Sequence, residues 1–292
     1  MTRSTTAARG RAAGAGYVLP AVLFLAALFA VPLARILELS LHPVDGTGNP
    51  LPELSLVQYQ RVLTEPFFAE ALRYSLLTAL LVTALCVLLG YPVAYALART
   101  RPGVLRTVMF VIVVSPLLTS VVVRSYGWVV LLSANGAVNR FLTATGLADE
   151  PVPLLTSNLA IVVSVTHVLL PFAVIPLTTA LGGIDGNLRR ASQVLGAGPV
   201  RTFWRVTVPL SLPGVATGAM VVLPLAMGIY ITPLLVGGAN RPLAGLRVYS
   251  QITSVYDYPV AAALSFTLLL LTLLCVTVLG SGFRFWERRL YG

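Results

Sequence analysis

The sequence predicts an all-α membrane protein with about six transmembrane helices. Of its 292 residues, 57% are hydrophobic and only 10% are charged, which leaves too few polar side chains to cover a soluble globule. The apolar residues are gathered in runs long enough to cross a bilayer core of about 30 Å as helices. None of these runs alternates with a period of two, so the β-strands of an outer-membrane barrel are not expected.

Six apolar runs are the predicted spans. They cover residues 17–39, 72–97, 104–132, 158–181, 214–236 and 260–282. Basic residues precede the first run, as in a secretory signal, but the run is longer than a signal core and no small-x-small cleavage site closes it. We therefore expect a retained first span, with a tail, that span and an outer loop over 1–70, a transmembrane core over 71–282 and a tail over 283–292.

The arginines are distributed unevenly among the segments between the spans. All twenty basic residues are arginine, and with a cytoplasmic N-terminus thirteen of them lie inside, opposed by only Asp185 and Glu287. Cytoplasmic loops are enriched in arginine and lysine, so both termini are predicted in the cytoplasm. The net charge of +10 therefore reflects topology and gives no reason to expect a nucleic-acid partner.

The outer loop changes character after Pro52. Apolar residues from Leu54 to Phe68 then recur at spacings of three and four, which favours a helix lying on the membrane surface, with an ordered loop as the alternative. Cys86 and Cys275 lie inside apolar runs and are interpreted as packing residues, with a disulfide between them left open.

The third run is long for one span and contains Pro116, so we expect a tilt, a kink or a break there. It also contains Arg124 beside Tyr126 and Trp128. Because aromatic residues mark membrane interfaces, an arginine that extends to the outer interface is favoured over one that lines a pore.

The polar segment 182–213 predicts a helix, a glycine turn and a second helix. Asp185 or Asn187 is expected to cap the first helix, and Gly196 with the Gly198-Pro199 pair interrupts it. We expect Leu188, Ala191, Val194 and Leu195 on one side of the first helix, and Val200, Phe203, Val206 and Thr207 on one side of the second. A surface that combines apolar and cationic residues favours contact with another protein over a purely structural hairpin.

This segment resembles the signature of the inner-membrane permeases of ABC importers. That signature is Glu-Ala-Ala, three residues, glycine, then nine residues before a hydrophobic residue and Leu-Pro. Here the corresponding letters are Arg190-Ala191-Ser192, Gly196 and Val206-Thr207-Val208-Pro209. Further segments are similar to the spermidine/putrescine-type branch of this family: 89–99, 123–128 and 231–238.

The resemblance implies the fold of a type I importer permease, with coupling helices that fit a groove of a separate ATPase subunit. The implied coupling residues are Arg190, Ala191, Ser192, Gly196, Ala197, Phe203, Arg205 and Pro209. It implies a place in the bacterial inner membrane, two ATPase subunits, a second permease and an extracytoplasmic solute-binding protein. The second permease is homologous or identical, and a different, homologous subunit is favoured over a second copy of this chain. ATP and Mg²⁺ would be bound by the ATPase, and no cofactor, metal or catalytic residue is expected in this chain.

Two positions depart from the family. The usual Glu is Arg190 and the second Ala is Ser192. The reversed charge implies that the other permease retains the Glu, that the ATPase supplies an acidic residue, or that docking is weaker. Ile229-Tyr230 stands where the polyamine branch often has an acidic residue and an aromatic, so the solute stays open among polyamine, iron, phosphonate and other small solutes.

Other mechanisms fit the sequence less well. It has no G-x-x-x-x-G-K-[ST] loop to hold ATP, no paired carboxylates within the spans for proton coupling, and no G-x-S-x-G stretch or metal-spaced His pair for hydrolysis. A secondary transporter is the alternative. His167 is expected to hydrogen bond between helices or to lie near the path. The candidate path residues are Tyr91, Tyr95, Ser115, Thr119, Arg124, His167, Tyr230 and Thr232.

Overall fold

The computed structural model describes residues 5–45, 50–237 and 241–291, and side chains from residue 19 to residue 286. The first part of the chain forms α1 (Thr5–Ser40), α2 (Val57–Thr64), α3 (Pro66–Arg99), α4 (Val104–Leu118), α5 (Val121–Leu132), α6 (Ala137–Ala144) and α7 (Asn158–Gly183). The second part forms α8 (Gly186–Val194), α9 (Pro199–Thr202), α10 (Val208–Met227), α11 (Ile231–Leu235), α12 (Ala244–Ser250) and α13 (Tyr258–Tyr291). Phe203–Thr207 and Gln251–Val255 are π-helical.

In the described residues, six helical stretches are long and apolar enough to cross a membrane, as predicted. They are Leu19–Ser40, Pro66–Arg99, Val121–Ala144, Asn158–Gly183, Pro199–Met227 and Tyr258–Trp286. The fifth predicted span was wrong at its end, because α10 stops at Met227 and the apolar residues after Gly228 form the separate helix α11. The fifth stretch also begins earlier, at Pro199, since α9, the π-helical turn and α10 are continuous.

The third predicted span is broken. Helix α4 ends at Leu118 and α5 begins at Val121, so Thr119 and Ser120 interrupt the run just after Pro116. A proline removes a backbone donor and its ring clashes with the preceding turn, but α3, α7 and α10 contain internal prolines and are continuous. Pro116 alone therefore does not explain a break that follows it by three residues. Of the three outcomes expected there, the break is the one observed.

Helix α7 is the centre of the bundle and packs closely against α3 and α10. A Cβ at Gly214 would lie 2.4 Å from the Cβ of Ala180, and a Cβ at Gly218 would lie 3.3 Å from the backbone of Ala173. The two glycines are four residues apart and face α7 together, in the small-xxx-small spacing that lets membrane helices approach closely. On the other side, a Cβ at Gly90 of α3 would lie 3.2 Å from Val174 of α7.

Helix α1 lies at the edge of the bundle. Its main packing partner is α13, and none of the apolar stretch of α1 is buried within the described structure. Large side chains such as Phe24 and Phe29 are therefore exposed. Such a surface suits a lipid environment, where apolar side chains need no protein cover.

The predicted helix after Pro52 is present as α2, and it ties the start of α3 to the start of α13. Arg61 of α2 forms an ion pair with Glu65 at 2.8 Å and with Asp257 at 3.0 Å. Asp257 is buried and also accepts a hydrogen bond from the backbone N–H of Val260, in the first turn of α13. The buried Val62 anchors α2 to the core, so the ordered-loop alternative was wrong.

The start of α1 and the end of α13 lie at the same end of the bundle. The Tyr74 hydroxyl donates to Asn158, so α3 and α7 begin together at the end that carries α2, here called the α2 end. The hydroxyls of Ser40 and Tyr59 are 2.7 Å apart, so α1 finishes at that end, where α13 begins. The start of α1 and the finish of α13 are therefore at the opposite end, which carries α8 and is called the α8 end. The side of the membrane that this end faces stays a prediction.

The two cysteines are free thiols, with Cys86 buried and Cys275 half-buried, so the disulfide left open by the sequence is not formed.

The contact of α10 with α7 makes a first prediction. Gly214→Ala should lower the free energy of unfolding by about 1–3 kcal/mol, because the added methyl group overlaps Ala180. Gly282→Ala in α13 is the matched control: nothing lies within 4 Å of its Cβ, and alanine is the better helix former. Thermal unfolding of both detergent-solubilised variants measures the difference. Equal stability of the two variants would contradict the close contact.

Candidate functional site

The segment between α7 and α10 forms the predicted helix, glycine turn and helix. The Asp185 carboxylate accepts a hydrogen bond from the N–H of Asn187 at 2.9 Å and so caps α8. Gly196 has a φ of +82°, a left-handed conformation that glycine adopts without steric cost. The Ser192 and Thr202 hydroxyls are 3.1 Å apart and join α8 to α9 across the turn. We call residues 185–207 the coupling segment.

The tip of the coupling segment exposes large apolar side chains. Val194 and Leu195 are each 87% exposed, and Val200 and Trp204 are also largely exposed. These residues lie at the α8 end, beyond the last turn of α7. A cluster of exposed apolar side chains on a polar segment is typical of a protein-binding surface.

One face of the coupling segment forms a groove of about 650 Å³. The residues that line it are Leu188, Ala191, Ser192, Leu195, Ala197, Arg201, Arg205, Val206, Pro209 and Leu210. Five of the eight implied coupling residues lie in this groove: Ala191, Ser192, Ala197, Arg205 and Pro209. Gly196 forms the turn beside it, whereas Arg190 and Phe203 line a second cavity on the opposite face.

The predicted faces of the two short helices are partly wrong. Leu188, Ala191 and Leu195 share the groove as predicted, but Val194 points elsewhere. On the second helix the predicted single face is divided: Val206 lines the groove, Phe203 and Thr207 line the opposite cavity, and Val200 is exposed. The cause is the π-helical turn, in which hydrogen bonds span five residues and side chains rotate relative to α-helical spacing.

Phe203 attaches the coupling segment to the transmembrane core. Its ring makes edge contacts with Tyr91 and Tyr95 of α3, with centroids 5.9 and 5.4 Å apart. The Tyr91 hydroxyl lies 2.8 Å from the Ser211 hydroxyl of α10. Tyr91 and Tyr95, both proposed from the sequence as path residues, thus connect α3 to the coupling segment and to α10.

Three of the candidate path residues lie around the break between α4 and α5. Ser115 and Thr119 are exposed, and each hydroxyl donates to a carbonyl three residues earlier in the chain. The Arg124 guanidinium donates to the carbonyl of Pro116, which lies in the last turn of α4. Such carbonyls have no helical partner, and this one accepts hydrogen bonds from both the Thr119 hydroxyl and Arg124, the latter across the break. The sequence could not indicate this pairing.

The other candidates join α5, α7 and α11. The Trp128 indole N–H donates to Nδ1 of His167 at 3.3 Å, the hydrogen bond between helices that was expected of His167. The buried Ser125 hydroxyl donates to Thr232 at 3.3 Å. Tyr230 stacks on Tyr249 of α12, with ring centroids 5.6 Å apart. Which of these residues face a solute path stays a prediction.

At the α2 end, Arg247 of α12 lies 3.8 Å above the ring of Phe67. Burial disfavours the charged guanidinium and lowers the pKa of Arg247 from its ordinary value. The electrons of the ring face partly compensate this cost. No pattern in the sequence indicates this pair, since the two residues are far apart in the chain.

The known proteins most informative for this chain are transport permeases. A family described as "Binding-protein-dependent transport system inner membrane component" matches residues 86–291. The spermidine/putrescine transport system permease protein PotB of Escherichia coli K12 is 36% identical over 73% of this chain and 77% of its own length. PotB of Haemophilus influenzae is 31% identical over 85% of this chain and 86% of its own.

The names of another relative and of a similar solved structure mention other solutes. The molybdenum transport system permease protein ModB of Mycobacterium bovis is 32% identical over 78% of this chain and 83% of its own. A bacterial alginate ABC transporter, solved in complex with a periplasmic protein bound to an alginate pentasaccharide, has a chain with the same fold. It matches with a TM-score of 0.72 and 18% identity over 98% of both chains. The chain therefore belongs to the family of inner membrane components of binding-protein-dependent transport systems.

Proposed function

We propose that this permease subunit of an ABC importer is driven through its coupling segment, which fits a groove of a cytoplasmic ATPase subunit. The observation that carries the proposal is an exposed apolar tip, Val194, Leu195 and Val200, on a segment anchored to the core through Phe203. A surface of this kind is stabilised when another protein covers it, because apolar area is removed from water.

The helices offer a direct route for motion from the coupling segment into the membrane. Pro199–Met227 is continuous, so α9, the π-helical turn and α10 move together. Helix α10 meets α7 at Gly214 and Gly218, where the two helices pack too closely for a Cβ between them. A rigid-body displacement of the coupling segment would therefore rock α10 and α7 as a unit, a known way of switching transporters between inward-open and outward-open states.

The proposed assembly has partners on both sides of the bacterial inner membrane. The α8 end would face the cytoplasm, as the arginine distribution predicts. It would contact a separate ATPase there, because the sequence has no phosphate-binding loop of its own. The α2 end would receive solute from a binding protein. Two such ATPases and a second, homologous permease would complete the transporter, with ATP and Mg²⁺ bound by the ATPases.

The solute is proposed only as a class. Two of the relatives are named as permeases for spermidine/putrescine and for molybdenum, and this chain is 36% and 32% identical to them. These sequence identities are too similar to favour one solute over the other. We propose a small solute, polyamine-like or another small organic or inorganic solute, whose identity is set mainly by the binding protein.

Leu195 tests the docking surface. Leu195→Ala should reduce copurification of the ATPase and solute uptake by about tenfold, as expected for an apolar anchor at an interface. The stability of the permease itself should change little, because the Leu195 side chain is already exposed. Leu54→Ala, a similarly exposed leucine at the α2 end, is the control. Normal ATPase binding by the Leu195 variant would refute docking at the tip, and a purified chain with ion-driven uptake and no ATPase would favour a secondary transporter.

The turn at Gly196 tests the shape of the segment. Gly196→Ala places a Cβ at positive φ, at a cost of about 1–2 kcal/mol per residue in that conformation, and should impair coupling. Gly198→Ala is the matched control, because this position has negative φ and equally open surroundings. The ATPase rate stimulated by solute and binding protein measures coupling in reconstituted complexes. Equal rates in both variants would mean that the left-handed turn is not required.

Cysteine labelling tests the orientation. In a chain whose native cysteines are replaced by alanine, Ser192→Cys should react with an impermeant maleimide only from the cytoplasm, and Leu54→Cys only from the outside. Leu54 is exposed and Ser192 is half-buried, and the two lie at opposite ends of the bundle. The reverse pattern would invert the topology that the arginine distribution predicts.

A further inference from the structure

A second cavity lies on the face of the coupling segment opposite the groove. It measures about 280 Å³ and separates the finish of α3 from α8 and the π-helical turn. The side chains and backbone that line it are Tyr95, Arg99, Gly186, Arg189, Arg190, Gln193, Pro199, Thr202, Phe203 and Thr207. The docking surface proposed above is the exposed tip, Val194, Leu195 and Val200, which does not line this cavity. Of the cavity residues, that proposal uses only Phe203, as the anchor of the segment.

The cavity gathers three guanidinium groups without a carboxylate. Arg99, Arg189 and Arg190 line it, and none of them forms an ion pair with a residue in the described parts of the chain. Arg99 lies 4.5 Å above the ring of Tyr95, and that ring supplies only a partial compensation for the positive charge. Asp185 is the nearest acidic residue in sequence, and its carboxylate caps α8 instead.

A buried hydroxyl in the same cavity has no partner. Thr207 is 1% exposed, and its Oγ1 makes no hydrogen bond with any described residue. Most threonines in helices donate to a carbonyl four residues earlier, as Thr178 and Thr217 do here. An unpaired buried hydroxyl costs about 1–3 kcal/mol, and this cost is recovered when the Thr207 side chain rotates to donate to a ligand in the cavity.

From these two independent observations we infer that the cavity binds a phosphate-type oxyanion. Arg99 and Arg190 are exposed and Arg189 is half-buried, so solvent screens part of the repulsion among the three charges. An anion between them would offset the remainder. Guanidinium forks and a hydroxyl are the donors that phosphate oxygens accept best, and a phosphate group fits within the observed volume.

Two sources can supply this chemistry. Arg99 is the last residue of a membrane-spanning helix, so the cavity lies where a helix leaves the apolar part of the chain, within reach of the phosphate of an anionic lipid. A free cytosolic phosphate compound offers the same oxygens. In either case the bound anion ties the finish of α3 to α8. If the proposed function holds, occupancy would also restrict the motion of the coupling segment and tune transport.

Binding is tested on the full-length chain in nanodiscs of phosphatidylcholine. The midpoint of thermal unfolding is measured during titration with inorganic phosphate and pyrophosphate in chloride buffer, and again in nanodiscs that contain phosphatidylglycerol. The double variant Arg189→Gln/Arg190→Gln removes two charges from the cavity. Arg201→Gln/Arg205→Gln removes two charges from the opposite groove and is the matched control.

The expected result is a saturable rise of the midpoint with free anion. The apparent Kd should increase by about tenfold or more in Arg189→Gln/Arg190→Gln and by less than about twofold in the control. Thr207→Val, which keeps the shape and removes the hydroxyl, should weaken binding, whereas Thr217→Val should not. A rise with phosphatidylglycerol alone, lost in the same variants, supports the site with a lipid as the source.

Three results would overturn the inference. Equal losses in the two double variants would mean general charge attraction. If phosphate, pyrophosphate and phosphatidylglycerol all leave the midpoint unchanged, the cavity does not bind an oxyanion. A shift produced only by a copurified ATPase subunit would mean that the arginines meet protein carboxylates. None of these results depends on transport, so the anion site and the proposed function can fail separately.

Discussion

The close approach of α10 to α7 is the contact on which the rest of the structure depends. In lipid, helices gain little from burying apolar side chains, so association depends on close packing and satisfied polar groups. Gly214 and Gly218 bring the two backbones together, and Gly90 lets α3 approach α7 from the other side. The three helices form a rigid centre, and the break between α4 and α5 lies outside it, where Arg124 can satisfy a freed carbonyl.

The same centre gives the coupling segment something to act on. Without the ring cluster of Phe203, Tyr91 and Tyr95, the segment would be a polar loop joined to the core at its two ends only. In the π-helical turn, Phe203 and Thr207 line the cavity that also contains Tyr95. Arg205 and Val206 of the same turn line the groove instead. Anchoring and partner contact are thereby divided between two faces of one short piece of helix.

Much of this architecture follows from local sequence. Long apolar runs predicted the number of spans, Pro116 indicated an interruption of the third run, and Asp185 and Gly196 indicated the first cap and the turn, because each of these signals acts over a few neighbouring residues. The third span was misplaced, because the stretch able to cross the membrane is Val121–Ala144 and not 104–132. Features that need distant residues were not predictable. Residues 229–236 are apolar, so the sequence did not indicate that α10 ends at Met227. The π-helical turn also changed which side chains share a face of the second short helix.

The candidate site divides in the same way. Its boundaries and five of its groove residues were indicated by a spaced motif, whereas the partners of Arg124 and His167 lie on other elements and have no pattern in the chain. The cavity beneath the segment was also missed, because Arg99 and Thr207 are more than 100 positions apart and meet only when α3 and α10 are packed.

The position of α1 has a consequence for biosynthesis. Because α1 packs mainly against α13, its partner is made after all the other spans described here. During synthesis α1 would wait in the bilayer without this partner until the spans between them have been inserted. The exposed apolar surface of α1 makes that wait harmless, since lipid chains solvate it as well as protein does.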